Sequence, residues 1–523
     1  MTATADEREA MARRGLRLAW WAARQPDAPA IVPADGDPAG ARTYAELDAG
    51  SNRVVRALRR RGLRVGDAVA LACRNRAEYA EVADATQRAG FRLTPINWHL
   101  TGDEAAYIVA DCGARALVAD AAVGPMAVGA AAGAPGCDVR LAVGGAIDGF
   151  ESYADAVAAE DGSVIDDPTP GSSMLYTSGT TGRPKGVHRP FDPAADAAPV
   201  LNLYGYDEDG GDVHLCTGPL YHAAPLAFSL QVPLAFGATV VLMETWDAAL
   251  ALRLIEQHGV THTHMVATMF HRLLSLPPSV RDGADVSSLR HVLHGAAPCP
   301  VPVKQALMDW WGPIVWEYYA ATEGVGCFAS PQTWLDRPGT VGRPVPDDQV
   351  FVGSEAGEPL APGEVGLVYI KAPDTGRFAY FGDTAKTDAA YRGDHFTLGD
   401  IGYMDADGYL FLTDRSADLI ISGGVNIYPA EVDAVLLTHP AVGDAATIGV
   451  PDEEWGESVL SVVELQPGVA PSADLAASLI AHCRERLAHF KCPRAVDFTA
   501  ALPRQDNGKL YKRRLREQYA ARP

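Results

Sequence analysis

No apolar run in this chain approaches the roughly 18 residues that a membrane-spanning helix needs. Basic charge is scarce as well: the formal net charge is −22, which argues against a nucleic-acid partner, since such partners reward basic faces. Cysteine is thin, at 8 of 523 residues. Positions 73, 112, 137, 216, 299, 327, 483 and 492 form no CxxC pair and carry no accompanying histidine at zinc spacing, so reduced, structural thiols are expected. The first residues, MTATADEREAMARR, mix charges and lack an apolar core. No secretory signal is expected, and the cytoplasm is the default compartment. No internal repeat is evident. Basic residues gather only near the C-terminus, at Arg504, Lys509, Lys512, Arg513, Arg514 and Arg516, where the last three read as a solvated helix face.

At 523 residues the chain exceeds the roughly 250–300 at which single cores stop growing, so at least two domains are expected. Short apolar bursts, AVALAC at 68–73, RALVAD at 115–120, ATVVLM at 238–243 and LRHVLHG at 289–295, alternate with helix-period stretches such as AALALRLIEQHG at 248–259. This pattern predicts an α/β architecture with mostly parallel sheets. Alanine- and glycine-rich stretches at 121–136 and 192–200 read as variable surface or loosely specified helix. After Arg415 the texture changes. DLIISGGVNIYPAEVDAVLLTHPAV and the runs ATIGVPD and SVLSVVEL predict a compact α+β unit of about a hundred residues, with the boundary near 414–418.

The densest chemistry lies in YTSGTTGRPKGV at 176–187. Gly179 and Gly182 permit turns that side chains would block, exposed N–H groups there form an anion nest, and hydroxyls of Thr177, Ser178, Thr180 and Thr181 surround Lys185. The same composition suits a plain surface loop. It is not a Walker A loop, because Lys185 lies three residues past Gly182 and is followed by Gly186.

YTSGTTGRPKGV resembles the AMP-binding loop of the adenylate-forming superfamily, which includes acyl-CoA synthetases, peptide-synthetase adenylation domains and firefly luciferase. PLYHAAP at 219–225, YYAATEG at 318–324, the run from Gly399 to Asp433 and PRQDNGKLYKRRLR at 503–516 match the same family in the same order. The likeness covers essentially the whole chain and is strongest to bacterial fatty-acid or aryl-acid CoA ligases. It implies a large, multi-subdomain N-terminal domain (1–414), a hinge (415–418) and a small mobile C-terminal domain (419–523).

The resemblance also implies residue roles. Thr177 to Lys185 would clamp the ATP phosphates; Thr322 would touch phosphate and Glu323 would coordinate Mg²⁺, a hard cation that prefers oxygen. Tyr319 would stack on adenine, with Ala320 standing where the family has glycine. Gly295, Ala296 and Ala297 would line adenine, although HGAAP also reads as a tight strand-to-helix connection. Asp400 would accept both ribose hydroxyls and Arg415 would reach the ribose. His222 would gate the route between acyl and nucleotide sites, or simply pack. Lys509 would bridge the acid's carboxylate and the α-phosphate. Ser422, Gly423 and Gly424 would form the turn that admits the pantetheine thiol of CoA. Ala417 stands where the family's hinge has Asp or Lys.

Small residues at Ala223, Ala224, Ala321, Gly324 and Gly326 suggest a roomy apolar pocket for the acid, or merely close packing. The reaction needs no enzyme nucleophile, because the carboxylate itself attacks and pyrophosphate leaves. The expected activity is an ATP-dependent acyl-CoA synthetase using Mg²⁺ and CoA. The alternatives are an adenylating enzyme with another acceptor (a carrier-protein thiol, an amine or nitrite), and a non-catalytic nucleotide-binding relative.

Overall fold

The computed structural model describes residues 5–177, 184–189, 204–373, 376–415, 418–422, 425–452, 455–504 and 510–520. The chain divides into two compact units. One comprises Met1–Met265, Leu276–Leu293 and Pro373–Asp388; the other comprises Val266–Ser275, His294–Ala372 and Ala389–Pro523. Among the described residues no helix is long and apolar enough to cross a membrane.

The first unit holds two parallel sheets. In one, Ala68–Ala72 lies between Ala114–Asp120 and Arg92–Pro95, with Val139–Val143 beyond Ala114–Asp120. AVALA is buried at every position, as a strand covered on both faces must be. In the other, Pro29–Pro33, Thr239–Leu242, Val213–Cys216 and His262–Met265 run parallel. Helices Tyr44–Arg60 and Ala77–Ala89 pack into the same core as Ile31, Val69, Leu71, Val240 and Leu242. The first of these starts at a capping box in which Thr43 and Glu46 satisfy each other's backbone N–H groups. The two helices are joined by a buried ion pair: Arg88, wholly inaccessible, places Nη1 2.8 Å from Asp48 Oδ1 and also pairs with Asp84.

The alanine- and glycine-rich stretch after 121 is more specific than its composition suggested. Gly124–Ala132 is a helix with Met126, Ala127, Ala130 and Ala131 buried, and a Cβ on Gly129 would lie 2.8 Å from Gly102 Cα. Two helix backbones meet there, which only glycine allows. The stretch 192–200 lies outside the described residues.

In the second unit Val315–Ala321, Gly324–Ala329, Thr340–Pro344, Leu410–Arg415, His395–Met404, Gly366–Lys371 and Val350–Gly353 form a continuous antiparallel array. Parallel pairing thus dominates the first unit, and the sequence reading did not separate out this antiparallel region. The C-terminal sheet follows the expected strands: Val425–Ile427, Ile420–Ser422, Gly456–Leu465 and Val442–Asp452, with Ala495–Thr499 parallel to Gly456–Leu465. Alternate residues feed opposite faces. Ala445 and Val463 pack with helix residues Val432, Leu436 and Leu479, whereas Ala446 and Val462 pack with Leu502 and Leu515.

Candidate active site

In the first unit Leu175–Thr177 and Lys185–His188 pair antiparallel, with Lys185 opposite Thr177. The loop between them carries Ser178, Gly179, Thr180, Thr181 and Gly182, which lie outside the described residues. Lys185 Nζ sits 5.7 Å from the Tyr380 ring centroid, and Lys386 approaches the same ring at 5.6 Å. Burial pulls the Lys185 ammonium below its usual range, with the Asp383 carboxylate pulling the other way. Sequence reading missed Tyr380 and Lys386, since no local pattern ties residues this distant to the loop.

His222 occupies the N-cap position of the short helix Ala223–Leu226, its ring 4.4 Å from that of Tyr221. Tyr221 in turn meets Trp98 edge-on at 5.9 Å. Ala223 and Ala224 are half-buried. The helix continues as a π-helical segment, Ala227–Gln231, before Val232–Ala235. Pro233 has no N–H to donate, and widened turns of this kind recur at functional sites. That proline was the available signal.

In the second unit, Tyr319 and Asp400 are buried and hydrogen-bonded: the phenol donates to Asp400 Oδ2 at 2.7 Å. Asp400 faces Arg415 in the strand register. Thr322 and Glu323 form the two-residue connection between Val315–Ala321 and Gly324–Ala329, with Ala321 opposite Gly324, and Glu323 is buried. The register slips between Tyr319 and Ala320, a bulge at the position where alanine replaces the family's glycine. Ala320 therefore sits in sheet structure without a positive φ.

Gly324 and Gly326 show close packing, the alternative reading of the small residues. A Cβ on Gly324 would lie 2.7 Å from Phe396 Cζ, and one on Gly326 would lie 2.6 Å from Tyr319 Cδ1. The space beside them is filled by aromatic rings, so at these two positions the small residue seats a ring. Ala321 is half-buried.

The turn after His291–His294 is tightly determined. A Cβ on Gly295 would lie 2.5 Å from the Tyr318 ring and 2.7 Å from its carbonyl oxygen. Ala296 has φ 66°, the one positive value at a non-glycine residue among those described; Ala297 follows, half-buried. Left-handed alanine costs roughly 1–2 kcal/mol, and such strain persists where surrounding structure imposes it, often at functional sites. Because the Ala296 side chain is exposed, Ala296→Gly loses little packing. Its strain relief should exceed the ~0.4–1 kcal/mol entropic cost of glycine, leaving a net stabilisation of about 0.5 kcal/mol in urea unfolding. A loss of stability there would show that the alanine is unstrained.

Behind this turn, Lys304 Nζ lies 2.7 Å and His294 Nε2 3.3 Å from the same oxygen, Glu317 Oε2. Burial pushes the Glu317 carboxyl up, but the His294 and Lys304 neighbours outweigh it and hold it at about 2. Burial pushes the His294 imidazole below its usual range, with the Glu317 carboxylate pulling the other way.

Around the expected hinge, Ala417 lies outside the described residues, and the Arg415 side chain is not described. On one side Asp414 Oδ2 accepts the Ala430 N–H at 3.0 Å, in the first turn of helix Pro429–Leu436. On the other, Arg516 Nη2 lies 2.5 Å from Asp418 Oδ1. Ser422 pairs with Val425 in register; Gly423 and Gly424 between them, like Lys509, lie outside the described residues.

Likeness to known proteins over nearly the whole chain shows an enzyme of the AMP-forming ligase class. The chain belongs to the AMP-binding enzyme family, whose model matches residues 18–378, and the AMP-binding enzyme C-terminal domain matches residues 431–509. It is 34% identical over 479 residues to the 2-succinylbenzoate–CoA ligase of Geobacillus kaustophilus, covering 91% of this chain and 92% of that protein. It is also 34% identical over 498 residues to the fatty acid–[acyl-carrier-protein] ligase ScoC of Streptomyces coeruleorubidus, with 91% of each covered. Among solved structures, the anthranilate CoA ligase AuaEII in complex with anthranoyl-AMP superposes with a TM-score of 0.86 at 25% identity over 97% of each chain.

Proposed function

We propose that this enzyme activates a ring-bearing carboxylic acid as its acyl-adenylate and transfers the acyl group to CoA. The observation that carries the adenylate half is the Tyr319–Asp400 pair next to the Gly295–Ala297 turn. A buried carboxylate already oriented by a phenol can accept from a ribose diol without reorganising. Gly295 lets the turn close directly onto the Tyr318 ring and carbonyl, which fixes the backbone that would line a flat base.

Thr177 and Lys185, at the two ends of the glycine-rich loop, would hold the β- and γ-phosphates. The donor set suits Mg²⁺ brought in on ATP. Among the described residues there is no group of three or more His, Cys, Asp or Glu side chains that could hold a metal by itself, whereas Mg²⁺ usually needs only one or two carboxylates, phosphate oxygens and water. Glu323 would supply the carboxylate and Thr322 a hydroxyl near phosphate; the ion would offset charge on the departing pyrophosphate. Lys509 would neutralise the two anions as they meet. The Ser422–Gly424 turn would admit the CoA thiol after the small domain turns about 415–418, with the domain boundary placed there. The described cysteines are free thiols, which suits the cytoplasm, where ATP and CoA are found.

The ring-bearing acid rests on the named substrates of relatives, 2-succinylbenzoate and anthranilate. A carrier-protein acceptor, as in the name of ScoC, is the second reading. Retention of Lys185, Glu323, Asp400, Arg415 and Lys509 speaks against a non-catalytic binder. A pyrophosphate-release screen over aromatic and fatty acids, followed by a thioester assay, tests both halves. Adenylation without any CoA thioester would pass the second half to another acceptor.

The hinge gives a sharper test. Ala417→Pro fixes φ near about −65° and should keep single-turnover pyrophosphate release while losing thioester formation from supplied acyl-adenylate. If both steps persist at the wild-type rate, residue 417 is not where the domain turns.

A further inference from the structure

The strand before the Gly295–Ala297 turn and the helix that follows it each bring one side chain to the same carboxylate oxygen. His294 closes the strand before the turn and Lys304 lies in the first turn of helix Val301–Trp311 after it. Both side chains are wholly inaccessible, and both reach Glu317 Oε2, at 3.3 and 2.7 Å. Glu317 stands two residues before Tyr319 on strand Val315–Ala321, hence on the same side of the strand. The Lys304 ammonium also lies 4.9 Å from the Trp334 ring centroid, which closes the cluster on its far side.

Stability alone does not explain this arrangement. Replacing a buried ion pair with apolar residues of similar volume is often neutral or stabilising, because desolvation consumes the attraction. An ion pair does fix geometry: the Lys304–Glu317 hydrogen bond ties the helix after the turn to the strand, the His294 ring, with neither nitrogen hydrogen-bonded, packs 3.3 Å from the same oxygen, and between them Ala296 is held at φ 66°.

We propose that Glu317, Lys304 and His294 form a staple that positions the 295–297 turn against Tyr318, the residue before Tyr319 on strand Val315–Ala321, making them positioning residues for ATP binding. This rests on reading that turn as the adenine seat. The staple touches no substrate; it acts through the turn and the tyrosine.

The experiment uses the full-length enzyme, with MgATP binding followed by calorimetry and the thermal midpoint measured in parallel. The double variant Lys304→Met/Glu317→Leu exchanges the pair for apolar groups. It should keep a near-wild-type midpoint while ATP binding weakens about tenfold or more, and the acid's KM should stay within twofold in the pyrophosphate assay. A double variant with a wild-type midpoint and an ATP Kd within twofold of wild type would overturn the staple. His294→Leu leaves the Lys304–Glu317 pair in place and decides the matter if the double variant fails to fold: ATP binding should weaken at least threefold at an unchanged midpoint, and an unchanged Kd overturns the proposal. Asp400→Asn separates the two levels of the argument. Weakened ATP binding in Asp400→Asn with normal binding in the staple variants sinks the staple alone. Normal binding in Asp400→Asn as well as in the staple variants sinks the nucleotide reading itself.

Discussion

Changing Lys509 to alanine is expected to slow acyl-adenylate formation by about 10²–10³, the usual loss when one preorganised charge contact disappears. Thioester formation from supplied acyl-adenylate should stay nearly intact. The asymmetry would follow from the proposed place of the lysine on a small mobile domain, where it would meet the reacting anions in one pose only. Lys509 lies outside the described residues, but the segment that bears it springs from fixed ends. Arg504 forms a β-bridge with Leu510, and Tyr511 N–H donates to Pro503 O at 2.8 Å. Arg504 Nη2 donates to Asp444 Oδ1 at 2.7 Å. Single-turnover pyrophosphate release and thioester formation, measured separately, check the split. Equal losses in both would remove the two-pose mechanism.

The largest expected effect on stability comes from Arg88→Leu. Arg88 Nη1 also donates to Asn52 Oδ1 at 2.8 Å, so its loss strips a hydrogen bond as well as the partner of two carboxylates, the buried Asp48 and the half-buried Asp84. Burial already holds the Asp84 carboxyl above its usual range even though Arg88 pulls it down. Removing one partner of such a pair costs roughly 3–5 kcal/mol, a large share of the ~5–15 kcal/mol that keeps a domain folded. Equilibrium urea unfolding should show a lower midpoint, and a loss below about 1 kcal/mol would mean that the carboxylates find other partners.

The parts of the fold legible in the sequence were those whose physics is local. Ala68–Ala72 and Thr239–Leu242 announce themselves because a strand buried on both faces must be apolar throughout. The strands and helix from Ile420 to Leu436 follow from a two-glycine turn and a proline-opened helix. Gly124–Ala132 resisted reading because alanine and glycine offer no contrast between faces; its meaning lies in its approach to Gly102. The antiparallel array was blurred by register slips at Tyr319/Ala320 and Ile401/Gly402, which break the period of two. At the site, Tyr319 and Asp400 are 81 positions apart and were paired only through the family's motif frame. Lys304 and Glu317 lie outside the quoted motifs, and His294 enters them only as the first letter of HGAAP, with no role read from it; a lysine or glutamate on a helix or strand reads as surface until its partner is seen.

Asp414 has a consequence for the proposed hinge. Its carboxylate holds the first turn of helix Pro429–Leu436 from the other side of residues 415–418, so a swing about that segment must break the bond and leave the Ala430 N–H to water. Losing a helix cap costs about 1 kcal/mol, roughly a fivefold change in the ratio of two poses. On the proposed hinge at 415–418 the bond would act as a detent, a notch that favours one pose of the small domain. Asp414, one residue before the proposed hinge, would thereby bias the balance between the poses proposed for the two half-reactions.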